Sequence, residues 1–412
     1  MSSNPCCELA RASEPSGPNP GNALLLTGAT GFVGMAVLAR ILERTDRHVV
    51  VLVRAASQSE ADGRLKTLMS SLFAHPGRYT GRVTAVCGDL TAPGLGLGVA
   101  REWIAEQVGE IIHAAASVAF NLALPESRSI NVEGTRRVLD LAHDCAARGD
   151  GLRRMTYVST AYVAGERHGY AHETELDVGQ AFRNAYEQSK QEAERLVFDE
   201  RERLPLTVIR PSIVVGERGT GWTSSFNVMY GPLRAVAAGA FPVLPGRGDG
   251  VLDIVTVDYV ADAVLALAGS PAAEGGTFHV VAGEQATTLR EVTNLAAQRF
   301  GRRAPRLIRP WLYRSLLQPV MLRTADPAMR RRIKRNEAYF RYLSLDLRFD
   351  DRAARELLEP LGIRATPISR CFDTLMDFAE AAQWGREPIA RSRAARPSQP
   401  AAWTPRAAES IA

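Results

Sequence analysis

The 412-residue sequence predicts an α/β fold, a doubly wound parallel sheet with a smaller, mainly helical C-terminal part. Two observations predict it: short apolar, β-branched runs recur along the first 300 residues, and helical patterns lie between most of them. Continuous apolar strands separated by helices are typical of a parallel sheet that is covered on both faces. In such a fold, ligands bind at the carboxyl ends of the strands.

Seven segments are predicted to be strands, because each is a short apolar run bounded by turn-forming or polar residues. In chain order they are "NALLLTG", "HVVVLVR", "RVTAVCGDL", "EIIHAAA", "RMTYVST", "LTVIRPS" and "GTFHVVAG". The segments "FVGMAVLARILER" and "SEADGRLKTLMSSLF" are predicted to be helices that follow the first two strands. After about residue 215 the pattern loosens into a mixture of glycine, aromatic residues and one helical run.

Composition suggests where the ordered parts begin and end. Residues 1–21 and 386–412 are rich in small and polar residues or Pro, Ser, Ala and Arg, and are predicted to be disordered tails. Residues 22–300 form the predicted sheet domain, with part of a substrate pocket. Residues 301–385 are a predicted helical region that completes substrate binding, and we expect it to pack on the same sheet.

Charge and cysteine content narrow the class of protein. The net charge of +5 comes mostly from arginines spread along the chain, which favours a basic face for phosphorylated ligands over nucleic-acid binding. The five cysteines are scattered without metal-ligand spacing, which indicates reduced thiols in a cytoplasmic protein and no metal site. No apolar run reaches the roughly 18 residues of a transmembrane helix.

A glycine-rich loop, "LLLTGATGFVGMAVL", follows the first predicted strand and opens the first predicted helix. Gly28 would make the tight turn, Gly31 would let backbone approach a pyrophosphate, and Gly34 would let helix and strand pack closely. The helix N-terminus then offers N–H groups and the positive end of its dipole to the phosphates. Because strand, loop and helix occur together, the motif predicts a dinucleotide cofactor rather than a structural turn.

The residue that ends the second strand predicts which nucleotide binds. NAD-binding folds usually place an acid there to hold the ribose 2′-hydroxyl, whereas this chain has Arg54, with no acid before Glu60. A guanidinium can grip a 2′-phosphate, which favours NADPH; the alternative is a solvated arginine. Asp89, after the third strand, either accepts a hydrogen bond from the adenine amino group or caps the next turn.

The segment "NAYEQSKQEAERL" places Tyr186 and Lys190 four residues apart, on one face of a predicted helix. A nearby ammonium would lower the tyrosine pKa and make it a usable proton donor near neutral pH. The alternative is an amphipathic helix with a snorkelling lysine. Thr160, at the carboxyl end of "RMTYVST", is expected beside Tyr186, while its neighbour Ser159 points to the opposite face because side chains alternate along a strand.

Taken together, the glycine loop, "CGDL", "HAAASV", "VSTAYV", Tyr-x-x-x-Lys and "RPSIVVG" resemble the extended short-chain dehydrogenases/reductases over residues 22–300. The resemblance implies that Thr160, Tyr186 and Lys190 are catalytic and that the sheet domain is an NADP-binding Rossmann domain. Asn131 matches the asparagine that usually supports the lysine through water; the alternative is a helix-interior asparagine bonded only to backbone. The cofactor-binding residues expected on this basis are Gly28, Thr30, Gly31, Phe32, Val33, Gly34, Arg54, Asp89, Leu90, Ala114, Ala115, Tyr186, Lys190, Pro211, Ser212 and Ile213.

Within that family, "GDLTAPGLGLG" and "IIHAAASVAFN" resemble thioester-reductase domains, and "IRPSIVVGERGTGWTSSFN" resembles fatty acyl-CoA reductases of the male-sterility type. This branch implies NADPH-dependent reduction of an acyl thioester, carried on CoA or a carrier protein, to an aldehyde or alcohol. Other extended reductases share every core motif, so a ketone, hydroxysteroid or sugar-nucleotide enzyme is the alternative, and a non-catalytic NADPH sensor is the alternative of another class. Residues 311–335 are apolar and then basic, which fits an acyl chain and phosphates, peripheral membrane contact, or an ordinary amphipathic helix.

Overall fold

The computed structural model describes residues 22–226, 229–239, 243–324, 330 and 340–394. Its strands are β1 (Ala23–Thr27), β2 (Val49–Val53), β3 (Val83–Cys87), β4 (Val108–His113), β5 (Arg154–Val158), β6 (Gly169–Ala171), β7 (Leu206–Pro211), β8 (Ile213–Val215), β9 (Val243–Pro245), β10 (Val251–Leu252), β11 (Ile254–Thr256), β12 (Thr277–Val280), β13 (Thr287–Thr288), β14 (Arg306–Ile308) and β15 (Leu347–Phe349).

The α-helices of the described residues cover both faces of the main sheet and build the C-terminal region. They are α1 (Phe32–Arg44), α2 (Gln58–Leu72), α3 (Ala100–Gln107), α4 (Leu124–Ala147), α5 (Ala185–Asp199), α6 (Tyr230–Ala237), α7 (Val257–Ala268), α8 (Leu289–Arg299), α9 (Pro310–Leu312), α10 (Gln318–Thr324), α11 (Arg352–Leu358) and α12 (Phe372–Ala381). A π-helical turn at Tyr313–Leu317 joins α9 to α10.

The main sheet has seven parallel strands in the order β12-β7-β5-β4-β1-β2-β3. These are the seven strands that the sequence predicts, so the doubly wound fold is confirmed. The direction in which strands are added reverses at β1: β2 and β3 lie on one side of it, and β4 lies on the other side. A doubly wound sheet opens a crevice for ligands at the carboxyl edge of such a switch point, and the glycine loop leaves β1 there.

Apolar side chains fill both faces of the sheet. Residues of α1, α2 and α7 form one buried cluster with the strands, and residues of α3, α4 and α5 form another on the opposite face. The strands are buried on both faces, which explains why their sequences are continuous apolar runs rather than alternating ones. A third cluster joins Tyr162 and Tyr230 to aromatic residues of the C-terminal region such as Phe340, Phe349 and Phe372.

The C-terminal region is attached to the sheet domain by short strand pairs and helix contacts. β15 pairs with β6, and β14 pairs with β9, each in parallel. The carboxylate of Glu173 accepts hydrogen bonds from the backbone N–H groups of Ala353 and Ala354, which satisfies the first turn of α11. None of the helices in the described ranges has the length and hydropathy that a bilayer crossing requires.

Part of the predicted disordered tail has a defined position. The guanidinium of Arg391 pairs with Glu43 at 2.7 Å and with Glu217 at 2.6 Å, so residues 386–394 pack against the sheet domain instead of starting the tail. These two ion pairs join residues far apart in sequence, and nothing in the local composition indicates them. The predicted tails at 1–21 and 395–412 lie outside the described residues, as does the basic run at Arg331–Arg335.

Candidate active site

The glycine loop between β1 and α1 leaves no room for side chains at two of its three glycines. Gly28 has φ +79°, and a Cβ there would lie 2.6 Å from the Ala115 nitrogen and 2.7 Å from the Ala114 carbonyl carbon. A Cβ on Gly34 would overlap the Gly28 carbonyl oxygen. The tight turn and the close helix–strand packing expected of the first and third glycines are therefore present.

The N-terminus of α1 is open to solvent at its first turn. Gly31 is the N-cap residue, no side chain caps the helix, and no acidic residue lies in its first turn. Thr30 and Gly31 are exposed, and Phe32 and Val33 are half-buried. Uncapped N–H groups at the positive end of a 13-residue helix suit a phosphate. The loop thus fits the phosphates of a dinucleotide.

Two residues at the ends of β2 and β3 lie along the same carboxyl edge of the sheet. Arg54 is exposed, and no described residue pairs with its guanidinium, although its carbonyl oxygen accepts a hydrogen bond from Arg64 at 2.6 Å. Asp89 uses one carboxylate oxygen to accept hydrogen bonds from the backbone and hydroxyl of Thr91, each at 2.8 Å. The turn-capping role of Asp89 is therefore present, and its contact with adenine stays a prediction. Leu90 follows, half-buried, and packs over Gly134 of α4.

Thr160 and Tyr186 come together at the end of β5. The Thr160 hydroxyl donates to the Pro211 carbonyl at 3.4 Å and lies near enough to Tyr186 to lower the pKa of that tyrosine. The hydroxyl of its neighbour Ser159 instead donates to Glu194, two turns further along α5 than Tyr186. Thr160 rather than Ser159 thus lies beside the tyrosine. Two neighbouring hydroxyls can both donate to one oxygen of a bound carbonyl compound.

Burial, rather than the lysine, dominates the proton affinity of Tyr186. Burial raises the pKa of Tyr186 to about 12, and the neighbouring Thr160 side chain offsets part of the rise. The sequence-based expectation of a lowered pKa is therefore wrong for this arrangement. The reason is geometric: the Lys190 ammonium donates to the Tyr157 hydroxyl at 2.7 Å and to the Val158 carbonyl at 2.9 Å. No described residue accepts its third hydrogen.

Asn131 reaches α5, the helix of Tyr186 and Lys190, through a serine. Its amide oxygen accepts from the Ser117 N–H at 2.8 Å, and its amide nitrogen donates to the Ser189 hydroxyl at 2.9 Å. The Ser189 hydroxyl in turn donates to the Tyr186 carbonyl at 3.1 Å. Asn131 is therefore not bonded to backbone alone, as one sequence-based alternative held. It fixes α5 between Tyr186 and Lys190, and support of the lysine through water stays a prediction.

The segment from Pro211 to Ile213 closes the edge beside Thr160. The three residues are buried. The Ser212 N–H donates to the backbone carbonyl of Val280, and the Ile213 N–H donates to the backbone carbonyl of Asp253 at 3.2 Å. The carboxylate of Asp253 accepts the N–H groups of Ala282 and Gly283 at 2.7 Å and 3.1 Å. Burial raises the pKa of Asp253 to about 6. These contacts hold the segment next to Thr160, whose hydroxyl donates to the Pro211 carbonyl.

Aromatic rings surround Tyr186, and the sequence analysis did not identify them as part of the site. Phe120 lies with its ring centroid 5.7 Å from that of Tyr186 and stacks on Tyr342 at 5.3 Å. Tyr162 meets Tyr342 edge-to-face at 5.3 Å. Phe120 follows the motif "HAAASV" by two residues, so its place near the strand end could have been inferred. Tyr342 lies 156 residues beyond Tyr186, and no local pattern connects the two.

Comparisons with known proteins identify the family to which the chain belongs. A family model described as "Male sterility protein" matches residues 26–264. The fatty acyl-CoA reductase wat of Drosophila melanogaster is 30% identical over 285 residues, which are 60% of this chain and 53% of that protein. The isonitrile lipopeptide synthase of Streptomyces coeruleorubidus is 37% identical over 225 residues, which are 54% of this chain and 15% of that protein. The chain thus matches about half of the reductase and a small part of the synthase.

Among solved structures, the terminal R domain from the myxalamid PKS-NRPS biosynthetic pathway superposes with a TM-score of 0.77 at 26% identity. The match covers 92% of this chain and 95% of that domain. The reductase domain of a nonribosomal peptide synthetase from Mycobacterium tuberculosis, at 23% identity and a TM-score of 0.68, shares the fold. The family match spans more than half of the chain. The chain therefore belongs to the male sterility protein family, within the extended short-chain dehydrogenases/reductases.

Proposed function

We propose that this protein uses NADPH to reduce an acyl thioester, carried on CoA or on a carrier protein, to the aldehyde, with a second reduction to the alcohol. The observation that carries the proposal is the position of Thr160 beside Tyr186 at the carboxyl edge of the sheet, next to the aromatic rings of Phe120, Tyr162 and Tyr342. The similarity to a fatty acyl-CoA reductase and to the terminal domain of a PKS-NRPS pathway supports the choice of substrate.

The roles of the residues follow from their positions. Bound NADPH would supply the hydride that adds to the thioester carbonyl carbon, after which the carbon–sulfur bond breaks and a thiol leaves. Thr160 and Tyr186 would donate hydrogen bonds to the carbonyl oxygen as negative charge develops on it. A tyrosine whose pKa lies near 12 stays protonated at neutral pH, so Tyr186 acts as a proton donor rather than as a phenolate. Lys190 would hold the ribose hydroxyls with its remaining N–H.

NADPH is proposed over NADH because of charge at the end of β2. The exposed Arg54 guanidinium lies where an acid would otherwise hold the ribose 2′-hydroxyl. Its planar fork suits the 2′-phosphate. The pyrophosphate would lie over Gly28 and Gly31, at the N-terminus of α1.

The acyl chain would lie against the aromatic rings around Tyr186. Val118 is 58% exposed and Phe120 is half-buried, so this loop forms an apolar rim next to Tyr186. The phosphates of CoA or of a carrier would meet a basic surface that precedes α9. Its exposed side chains are Arg302, Arg303, Arg306 and Arg309, and Trp311 beside them is 61% exposed. The proposed contact with the phosphates depends on these four arginines and not on the basic run at residues 331–335.

The test is an assay of NADPH oxidation with acyl-CoAs of increasing chain length, matched aldehydes, ketones and sterols. We expect turnover of long acyl-CoAs by the wild-type protein. The Tyr186→Phe variant, which should lose this activity, is the control for active-site chemistry. Acyl-CoA turnover should fall steeply with salt and with Arg→Ala changes at the basic surface, while turnover of an uncharged aldehyde should fall little. Two NADPH consumed per thiol released would show reduction to the alcohol.

Turnover of other substrate classes alone would contradict the proposal. If ketones, sterols or sugar nucleotides support nicotinamide turnover while no acyl-CoA or acyl-carrier thioester does, the thioester assignment fails and the alternative reductase function stands. If no substrate is turned over but NADPH binds tightly, the non-catalytic alternative gains support.

A further inference from the structure

The ammonium of Lys190 is held by a residue that the sequence analysis did not consider. Its Nζ lies 2.7 Å from the Tyr157 hydroxyl and 4.2 Å from the centroid of the Tyr157 ring. Tyr157 is fully buried and Lys190 is 2% exposed. A hydroxyl oxygen and a ring face both attract a cation, so one side chain supplies two favourable contacts to the same charge.

Tyr157 packs against a buried polar network. It is the register partner of His113 on β4, with ring centroids 5.6 Å apart, and Thr135 of α4 lies near enough to lower the pKa of its hydroxyl. His113 bridges Thr27 at 2.7 Å and Thr135 at 3.1 Å. The Thr135 hydroxyl donates to the Asn131 carbonyl at 2.7 Å, so Thr135 accepts from His113, which places the histidine proton on Nε2.

Burial and the charged side chains around Lys190 determine the pKa of its ammonium. Burial lowers the pKa of Lys190 to about 7, and Glu194 one turn along α5 raises it. Glu194 is already bound by Arg210 of β7 at 2.6 Å. Burial and the Lys190 charge lower the pKa of His113 to about 3, so His113 faces the lysine as a neutral ring. Tyr186, on the same helix, stays protonated.

We propose that Tyr157 is a positioning residue for Lys190: its hydroxyl orients the ammonium and favours its protonated form. The His113 ring packs against Tyr157 and is itself hydrogen-bonded to Thr135 and to Thr27, the residue before Gly28. The consequence for turnover rests on the proposed function. The effect on the proton affinity of the lysine does not, because it follows from contacts between side chains of the folded protein.

The direct test measures the pKa of Lys190 by NMR with carbon-13-labelled lysine. The chain has three lysines, Lys66, Lys190 and Lys334, so few signals appear and a Lys190→Met variant assigns the relevant one. Tyr157→Phe keeps the ring and removes the hydroxyl. We expect it to lower the Lys190 pKa by about one to two pH units, the scale of one charge-assisted hydrogen bond. Tyr259→Phe, which changes a buried tyrosine on α7, should leave that pKa in place.

An unchanged Lys190 pKa in Tyr157→Phe would overturn the proposal, whatever the enzyme's substrate proves to be. If the variant does not fold, the wild-type protein still gives an answer. The ring-carbon signal of Tyr157, identified by its proximity to the Lys190 methylenes, should shift with pH at the same midpoint as the lysine signal. A Tyr157 signal that does not change at that midpoint would also overturn the proposal. With a substrate in hand, the alkaline limb of the kcat profile should move down by the same one to two pH units.

Discussion

The Tyr342 hydroxyl donates to the Glu187 carboxylate at 2.6 Å, next to the Tyr186 side chain. Glu187 is fully buried and also pairs with Arg183 at 3.1 Å. The same hydroxyl accepts a hydrogen bond at 2.8 Å from Asn184, the residue that caps α5. The C-terminal region therefore fixes the first turn of the helix that presents the candidate proton donor. The C-terminal region and the helix that carries Tyr186 are coupled through one phenol.

Tyr342→Phe should reduce both stability and turnover. It removes a buried hydrogen bond to a charged group, which costs roughly 1.5–3 kcal/mol in the free energy of unfolding. A small shift of the first turn of α5 should lower kcat by about tenfold, because catalysis is sensitive to displacements of well under 1 Å. Chemical denaturation and steady-state assays measure the two effects. Tyr170→Phe, at a tyrosine that is 60% exposed, is the matched control and should change neither.

Tyr186→Phe should abolish turnover and leave cofactor affinity nearly intact. The loss should be about a hundredfold or more in kcat, the usual scale for a general acid, since Thr160 alone would then face the carbonyl oxygen. Fluorescence titration with NADPH and a kcat measurement on the same preparation separate the two properties. Near-normal turnover would remove Tyr186 from the mechanism, and a large loss of NADPH affinity would assign it to cofactor binding.

The seven predicted strands are the seven strands of the main sheet. They could be predicted because a strand that is buried on both faces has a continuous apolar sequence. The glycine loop was equally readable, since Gly28 and Gly34 occupy positions where a Cβ has no room. Thr160 and Tyr186 were predicted to meet, and they do. Local patterns thus sufficed wherever a residue type is demanded by its own backbone or by neighbours on the same element.

Contacts between distant segments could not be predicted in that way. The sequence placed the Lys190 ammonium near Tyr186 because the two share a helix face, but Tyr157 of β5 takes the ammonium instead. A pairwise spacing rule describes only one helix, whereas a buried charge responds to every element packed around it. The same limit applies to Tyr342 and Arg391, whose partners lie 155 and 174 or more residues away.

Arg54→Ala should weaken NADPH binding selectively. A charge-assisted hydrogen bond to the 2′-phosphate is worth roughly 1.5–3 kcal/mol, about ten- to a hundredfold in Kd. NADH lacks that phosphate, so its Kd should stay nearly unchanged. Binding titrations with both nucleotides give the ratio, and Arg78→Ala, at another exposed arginine, serves as the control. Equal losses for both nucleotides would show that Arg54 supports the fold rather than the phosphate.

Lys190→Met should trade activity for stability, and the trade should depend on pH. Burial lowers the Lys190 pKa from 10.5 to about 7. At and below pH 7, folding must bury a charged ammonium, which costs on the order of 4–5 kcal/mol by linkage. Methionine removes that cost, although it leaves the Tyr157 hydroxyl and the Val158 carbonyl without their donor. The variant should therefore gain most stability, relative to the wild type, near pH 6–7.

The sign of the pH dependence follows from the protons bound by each state. Between about pH 7 and 10.5 the unfolded lysine keeps a proton that the folded lysine has released, so rising pH stabilises the wild-type protein and not the variant. The difference in unfolding free energy should shrink by about 1.4 kcal/mol for each pH unit across this window. Denaturant titrations at pH 6, 7, 8 and 9 measure it, with Lys66→Met at an exposed lysine as the control. A difference that stays constant with pH would mean that the Lys190 ammonium titrates as it does in water, and that its burial among Tyr157, His113 and Glu194 does not govern its charge.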